Sequence, residues 1–240
     1  MVHVTTRDAL SPGRDTVLLA GVLATLGVFL VGVGEFMLHY SASGYAGAAE
    51  FRFLLHVPGW RLTAGHFLGV LCAPLYFLGY WHVHLALRPA SRPARLLLLG
   101  AAIYTFTIAT VWLGSRAGLA RLVQAQAEGA APGQFAALVD AYDLYSESLI
   151  QIVRLGVLAI SGLFVALVLR GRTSYPRWIA AANPILLLAL VFAAYFAVPA
   201  IGGYLVPSAM NVAHVLFFGL SSAAWARTGR RRLEGSLPRT

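Results

Sequence analysis

The 240-residue chain has no lysine, one cysteine, and nine acidic residues against 18 basic ones, all of them arginine. Without lysine there is no retinal Schiff base and no lysine nucleophile. The single Cys72 excludes an intrachain disulfide and dithiol redox chemistry, and its apolar surroundings mark it as a small buried residue. Charge of either sign is scarce. Only 11% of residues are charged, against roughly a quarter in a soluble domain.

What fills the space is apolar: 59% of the residues. Runs long enough to cross a bilayer lie near 16–40, 62–87, 95–116, 146–170, 178–198 and 201–226. Nothing between them is large enough for a second domain. The sequence therefore predicts one all-α membrane domain over residues 1–240, a six-transmembrane-helix bundle. "HYSASG" at 39–44 resembles a signal-peptidase site, but the run before it exceeds the roughly 7–15 residues of a signal core and contains Glu35. The first run reads as retained.

The arginines are not scattered. Arg7 and Arg14 precede the first run, Arg88, Arg92 and Arg95 separate the second from the third, and Arg170, Arg172 and Arg177 separate the fourth from the fifth. Arg227, Arg230, Arg231, Arg232 and Arg239 follow the sixth. The alternate links hold Arg52, Arg61 and Arg121, with Arg116 closing the third run, and most of the acids. By the positive-inside rule both termini are expected in the cytoplasm of a multi-pass protein of the cell membrane. The net charge of +9 then records topology and contact with anionic lipid, with no nucleic-acid partner.

Local signals add detail. Asp15 or Thr16 is expected to cap the first helix. "AAEFRFLLHV", within a segment near 46–57, places Phe51, Leu54 and Leu55 on one face of a short interfacial helix, with Glu50 and Arg52 elsewhere. "QAQAEGAAPGQ" at 124–134 reads as a flexible link, followed by a long helix from about Phe135 to about Arg170. Asn183–Pro184 reads as a cap or kink, Pro207 as a kink, and Trp60, Trp81, Trp112, Trp178 and Trp225 as interfacial anchors.

Polar residues inside the runs fall into stripes. Glu35 and His39 are spaced i, i+4 on the first run. Asp140, Asp143, Glu147, Gln151 and Arg154 follow steps of three and four on the fourth helix, and Tyr204, Ser208, Asn211 and His214 do so on the sixth. With His66 at the start of the second run, these groups are expected to meet in the outer half of the bilayer. Charges in hydrocarbon are expensive, and a chain that keeps them has a partner or a use for them. The candidate catalytic set is Glu35, His39, His66, Asp143, Glu147, Arg154, Asn211 and His214, with Trp112, Tyr204, Phe36 and Phe217 as substrate-binding aromatics. Arg154 is expected to pair with Glu147 first and Glu35 second, bridged by Gln151 or Asn211. Plainer readings stand beside these: Asp140 as a solvated helix-start acid, Arg116 as a snorkelling interfacial residue, and His82 and His84 at headgroup level.

An acid–base pocket fits this set best. Two acids held in different environments are the working unit of an isomerase or a proton-initiated cyclase, and a membrane site implies a lipid or isoprenoid substrate with no cofactor. The alternatives are a small proton-coupled transporter, favoured by Pro207, and a metal-dependent enzyme using His39, His66, His214 and the acids. No HExxH, HxxxH or HxH pair shares one helix face, which weighs against the metal.

"GEFMLHY", "RLTAGHFLGVLCAPLYFLGYWHV", "NP" at 183–184 and "PSAMNVAHVLFF" together resemble a family of small bacterial polytopic membrane proteins of unknown function. That resemblance covers most of the chain and implies no activity. In size and intramembrane acids the chain is also loosely similar to integral-membrane terpene cyclases, which implies an isoprenoid substrate without any shared motif.

Overall fold

A computed structural model describes residues 12–41, 49–129, 132–171 and 173–234, and these form helices and the turns between them. In chain order they are α1 (Arg14–His39), a 3-10 turn (Ala49–Leu54), α2 (Gly59–Cys72), α3 (Leu75–Ala86), α4 (Arg92–Ala127) and α5 (Pro132–Leu169). A 3-10 segment (Arg177–Ala182), α6 (Pro184–Ala197), α7 (Pro199–Leu205), a further 3-10 turn (Val206–Ser208) and α8 (Ala209–Glu234) complete them.

Among the described residues five stretches are long and apolar enough to cross a membrane: Arg14–His39, Gly59–Ala86, Arg92–Ala127, Ala136–Leu169 and Pro199–Thr228. The run near 178–198 departs from expectation. Its α-helix, α6, has 14 residues and is about 21 Å long, short of a hydrocarbon core of about 30 Å. Asn183–Pro184 ends the preceding 3-10 segment and starts α6 afresh. Asn183 Oδ1 accepts from the Leu186 N–H at 3.2 Å, its Nδ2 donates to the Ala180 carbonyl at 2.9 Å, and Ser161 Oγ on α5 accepts from the Ile185 N–H. Side chains thus serve the backbone groups that the break frees.

Two other runs are also interrupted. The second breaks at Ala73–Pro74, which the apolar pattern did not show, and the last changes to 3-10 geometry around Pro207, where a kink was expected. The hairpin of α4 and α5 is longer than predicted. With 36 and 38 residues these helices extend about 54–57 Å, so the link expected at 124–134 contracts to 128–131, of which 130 and 131 lie outside the described residues. The cap of α1 is Gly13, with Asp15 in the first turn, where an acid favours the helix dipole.

Glycine sets how closely α1 and α2 approach. A Cβ on Gly34 would lie 2.6 Å from Gly69 N and 2.8 Å from the Gly65 carbonyl. Arg61 closes the end of α1 by donating to the carbonyls of Met37 (3.0 Å) and Tyr40 (2.9 Å), which the helix terminus leaves unserved, and to that of Phe36 (3.3 Å), which also accepts from the Tyr40 N–H. Helix α1 packs on α2, α3 and α8, and α4 packs on α5. Tyr80, Phe164, Phe217 and Phe218 are fully buried between them.

The segment near 46–57 is described from Ala49 onward. Residues 46–48 and the side chains of Glu50 and Arg52 lie outside the described residues. The segment makes a short helix of 3-10 geometry, Ala49–Leu54, with Phe53 and Leu54 buried. The Gln124 carboxamide pins it to α4 by donating to the Leu54 and Val57 carbonyls at 3.0 and 2.9 Å.

Candidate functional site

The site forms at the His39 end of α1, where five helices each contribute one or two polar side chains. Glu35 and His39 lie one turn apart on α1 and are both buried. Asn211, in the first turn of α8 after the Pro207 break, donates its Nδ2 to Glu35 Oε2. Tyr76, in the first turn of α3 after the Pro74 break, donates its hydroxyl to Asn211 Oδ1 at 2.7 Å. The amide is therefore fixed in one orientation, with its donor toward the carboxylate and its acceptor toward the phenol.

Behind Glu35, Arg116 of α4 donates from Nε to His39 Nε2 at 3.0 Å and from Nη1 to Ser146 Oγ of α5 at 3.0 Å. Accepting at Nε2 leaves the other ring nitrogen of a neutral His39 as the proton carrier, and that atom stands 3.9 Å from Glu35 Oε1, with the Pro207 carbonyl also in reach of the ring. The Arg116 guanidinium lies 5.1 Å from the Trp112 ring and 5.3 Å from the ring of Phe51, a residue with φ of 57°. Arg116 is thus 5% exposed, where an interfacial snorkel had been expected.

A cavity of about 70 Å³ opens beside Glu35. Glu35, Tyr76, Thr110, Trp112 and Asn211 give it polar or amphipathic edges, and Ala73, Phe106, Leu113, Ile150, Val153 and Met210 complete an apolar wall. Phe106 stacks on Tyr76 with centroids 4.0 Å apart. The volume holds a few heavy atoms and is well below the roughly 300 Å³ at which pockets for whole drug-sized ligands begin.

Not every predicted residue arrives here. Asp143, Glu147 and Arg154 face outward. The expected Arg154–Glu147 contact forms at 3.0 Å, and Gln151 donates to the same carboxylate oxygen, but both ends of the pair are 55% exposed. Glu35 is served by Asn211 instead. His66 is half-buried edge-on to Phe67, with Nδ1 lacking a hydrogen-bond partner among the described residues. His214 lies deeper and is fully buried: its Nδ1 donates to the Met210 carbonyl at 2.8 Å, so Nε2 accepts from the Tyr80 hydroxyl at 3.0 Å. Phe217 packs edge-on against Phe164 beside it. Phe36 and Tyr204 stack on either side of Tyr40, away from the cavity, and Trp112 alone of the four predicted aromatics lines it. Among the described residues no three His, Cys, Asp or Glu side chains converge as metal ligands would.

Arg116 and Ser146 stood outside the candidate set read from the sequence. A signal existed for Arg116: it falls at helical spacing with Leu113, Ala120 and Val123, all buried, and so shares the inward stripe of α4. His82 is a second correction. It is fully buried, donating from Nδ1 to the Val17 carbonyl at 2.7 Å and accepting at Nε2 from Ser221 Oγ at 2.9 Å. Tyr175 in turn bonds Ser221 at 2.6 Å, and burial pushes its hydroxyl above the usual phenol range, with the Ser221 bond partly opposing.

Apolar helices of membrane-crossing length around a buried polar centre define an all-α membrane protein. The chain belongs to a family of unknown function, DUF6796, whose profile matches residues 14–228. No curated protein and no solved structure matches it. The match is consistent with the resemblance to a family of unknown function and brings no link to terpene cyclases.

Proposed function

We propose that the chain is an intramembrane acid–base enzyme acting on a lipid or isoprenoid, with Glu35 as the proton-transferring group. One observation carries this reading. A carboxyl group only 8% exposed lines an apolar, aromatic-walled cavity and is held from behind by a fixed amide. Such a group exchanges a proton with a carbon centre without competition from water. Asn211 and Tyr76 position it, His39 and Arg116 form its polar backing, and the faces of Phe106 and Trp112 suit a positively charged carbon. A cavity of about 70 Å³ admits the reacting end of a substrate, whose tail lies past Ile150, Val153 and Met210. Asp143, Glu147, Arg154, His66 and His214 have no contact with substrate in this scheme, and it needs no cofactor.

The test is isotopic. Protein in lipid nanodiscs is incubated in D2O with bacterial membrane lipids and a panel of isoprenoids, and carbon-bound deuterium is read by mass spectrometry. Wild type is expected to label one lipid class, and Glu35→Gln to lose the label at least about a hundredfold, the scale of general acid–base catalysis. Equal labelling by both proteins overturns the role of Glu35. A transport reading is favoured by the breaks at Pro74 and Pro207, which flank the cavity. Glu35-dependent proton flux into proteoliposomes, without deuterium in lipid, selects it.

We also propose six crossings, with both termini on the cytoplasmic side. The 3-10 segment and α6 together extend about 33 Å, enough for a broken span. The grouping of Arg14, Arg88, Arg92, Arg95, Arg170, Arg177 and Arg227 supports the orientation. In a Cys72→Ser background, cysteines replacing Tyr45 and Glu128 are expected to label from outside, and those replacing Ser91 and Thr173 only after permeabilisation. Outside labelling at position 91 overturns it.

A further inference from the structure

At the Arg14 end of α1 two clefts adjoin. One, of about 230 Å³, is lined by Arg14, Val17, Arg88, Ser174, Trp225 and Thr228. The other, of about 510 Å³, adds Tyr175, Trp178 and Arg227 and shares Ser174 and Thr228 with the first. The floor is fixed: the Ser174 N–H donates to the Ala86 carbonyl at 3.1 Å, and Thr228 Oγ1 to the Ala224 carbonyl at 2.8 Å. Arg14 is held at the rim by its bond to the Ala226 carbonyl at 2.7 Å. Arg88 and Arg227 have exposed side chains with no hydrogen-bond or ion-pair partner among the described residues. Asp15 adjoins Arg14 in sequence, and no ion pair of Arg14, Arg88 or Arg227 with an acid forms among the described residues.

Three guanidinium groups over the two adjoining clefts, two on one and one on the other, match a phosphate, whose oxygens accept the paired donors of arginine. Trp178 and Trp225 line these clefts, and indoles are favoured at the headgroup level of a bilayer. Beyond the clefts, Leu19 and Leu23 of α1 and Leu216 and Leu220 of α8 are exposed and offer a track for acyl chains. We propose that these clefts bind the phosphate headgroup of an anionic phospholipid, with its chains along the α1–α8 face. The site is independent of the Glu35 cavity at the other end of the helices and of any reaction there.

The experiment reads lipid retention. Full-length protein is delipidated in detergent, titrated with phosphatidylglycerol, phosphatidylcholine or inorganic phosphate, and the bound states are counted by native mass spectrometry. Retention of one or two phosphatidylglycerols over phosphatidylcholine is expected, weakened about tenfold or more in Arg88→Gln/Arg227→Gln. Arg170→Gln/Arg177→Gln removes the same charge outside the clefts and is expected to bind like wild type. Equal retention of both lipids, or equal loss in both double variants, overturns the site in favour of a diffuse basic surface. Saturation by inorganic phosphate alone at similar concentration overturns the lipid as its source. If the first variant fails to fold, a phosphatidylglycerol with a photoreactive headgroup decides on wild type. Cross-links in peptides carrying Ser174 and Trp225 support the site, and cross-links spread over the other arginines refute it.

Discussion

Asn211 stands between two groups that each depend on it, the Glu35 carboxyl and the Tyr76 hydroxyl. Replacing it with leucine strands both, and a buried polar group left unserved costs about 1–3 kcal/mol. Asn211→Leu is therefore expected to destabilise by about 2–4 kcal/mol, and Tyr76→Phe, which removes one donor, by about 1 kcal/mol. Unfolding in detergent measures both, and an Asn211→Leu loss no larger than that of Tyr76→Phe would deny the bridge. The Arg154–Glu147 pair behaves differently because both side chains are 55% exposed. Solvent, headgroups or detergent serve whichever charge survives, so Arg154→Leu and Arg154→Leu/Glu147→Gln are both expected within about 1 kcal/mol of wild type. The i, i+4 spacing of Glu35 and His39 was readable, and so was the stripe on α5. Spacing says only which residues share a face. On α5 a second stripe, Ser146, Val153, Val157, Ile160 and Phe164, is the one that is buried, and its apolar character was the better guide to the inward side.

Helices were legible wherever an apolar run was unbroken, and their ends were not. Pro74 lies inside a run whose composition never falters, so hydropathy sees one span where the missing N–H makes two helices. The contact between α1 and α2 was hidden for another reason: Gly34 and Gly65 are ordinary in a membrane sequence until their partners are known. Gly34→Ala places a methyl against the α2 backbone with no flexible side chain to yield, and is expected to cost about 1–3 kcal/mol. A melting point unchanged from wild type would show that the helices separate freely. At α6, Asn183→Ala removes a cap in the middle of the fold, with an expected loss of about 0.5–2 kcal/mol. Asn183→Ser, which keeps a cap acceptor, is expected to recover most of it.

Across the whole molecule the two ends differ in chemistry, and the aromatic layer of Tyr80, Phe164, Phe217 and Phe218 separates them. The tryptophans report on this arrangement. Trp60 and Trp178 are 67% and 50% exposed, whereas Trp112 faces the cavity. In single-tryptophan variants, lipids brominated near the headgroup are expected to quench Trp60 and Trp178 strongly and Trp112 weakly. Strong quenching of Trp112 would place the cavity wall in open contact with lipid.

The bond between Glu35 and Asn211 joins residues 176 apart in the chain. A ribosome adding about 5–20 residues per second makes the carboxyl roughly 10 to 35 s before its amide exists. During that interval the first helix has left the ribosome with an acidic group that hydrocarbon rejects and without the amide that serves it in the finished fold. Biogenesis therefore favours a nascent α1 that lingers in the insertion machinery, or enters the bilayer with its carboxyl protonated, until the last helix arrives. A chain stopped before α8 would lack the means of leaving that state, and quality-control proteases would meet it as an unfinished product.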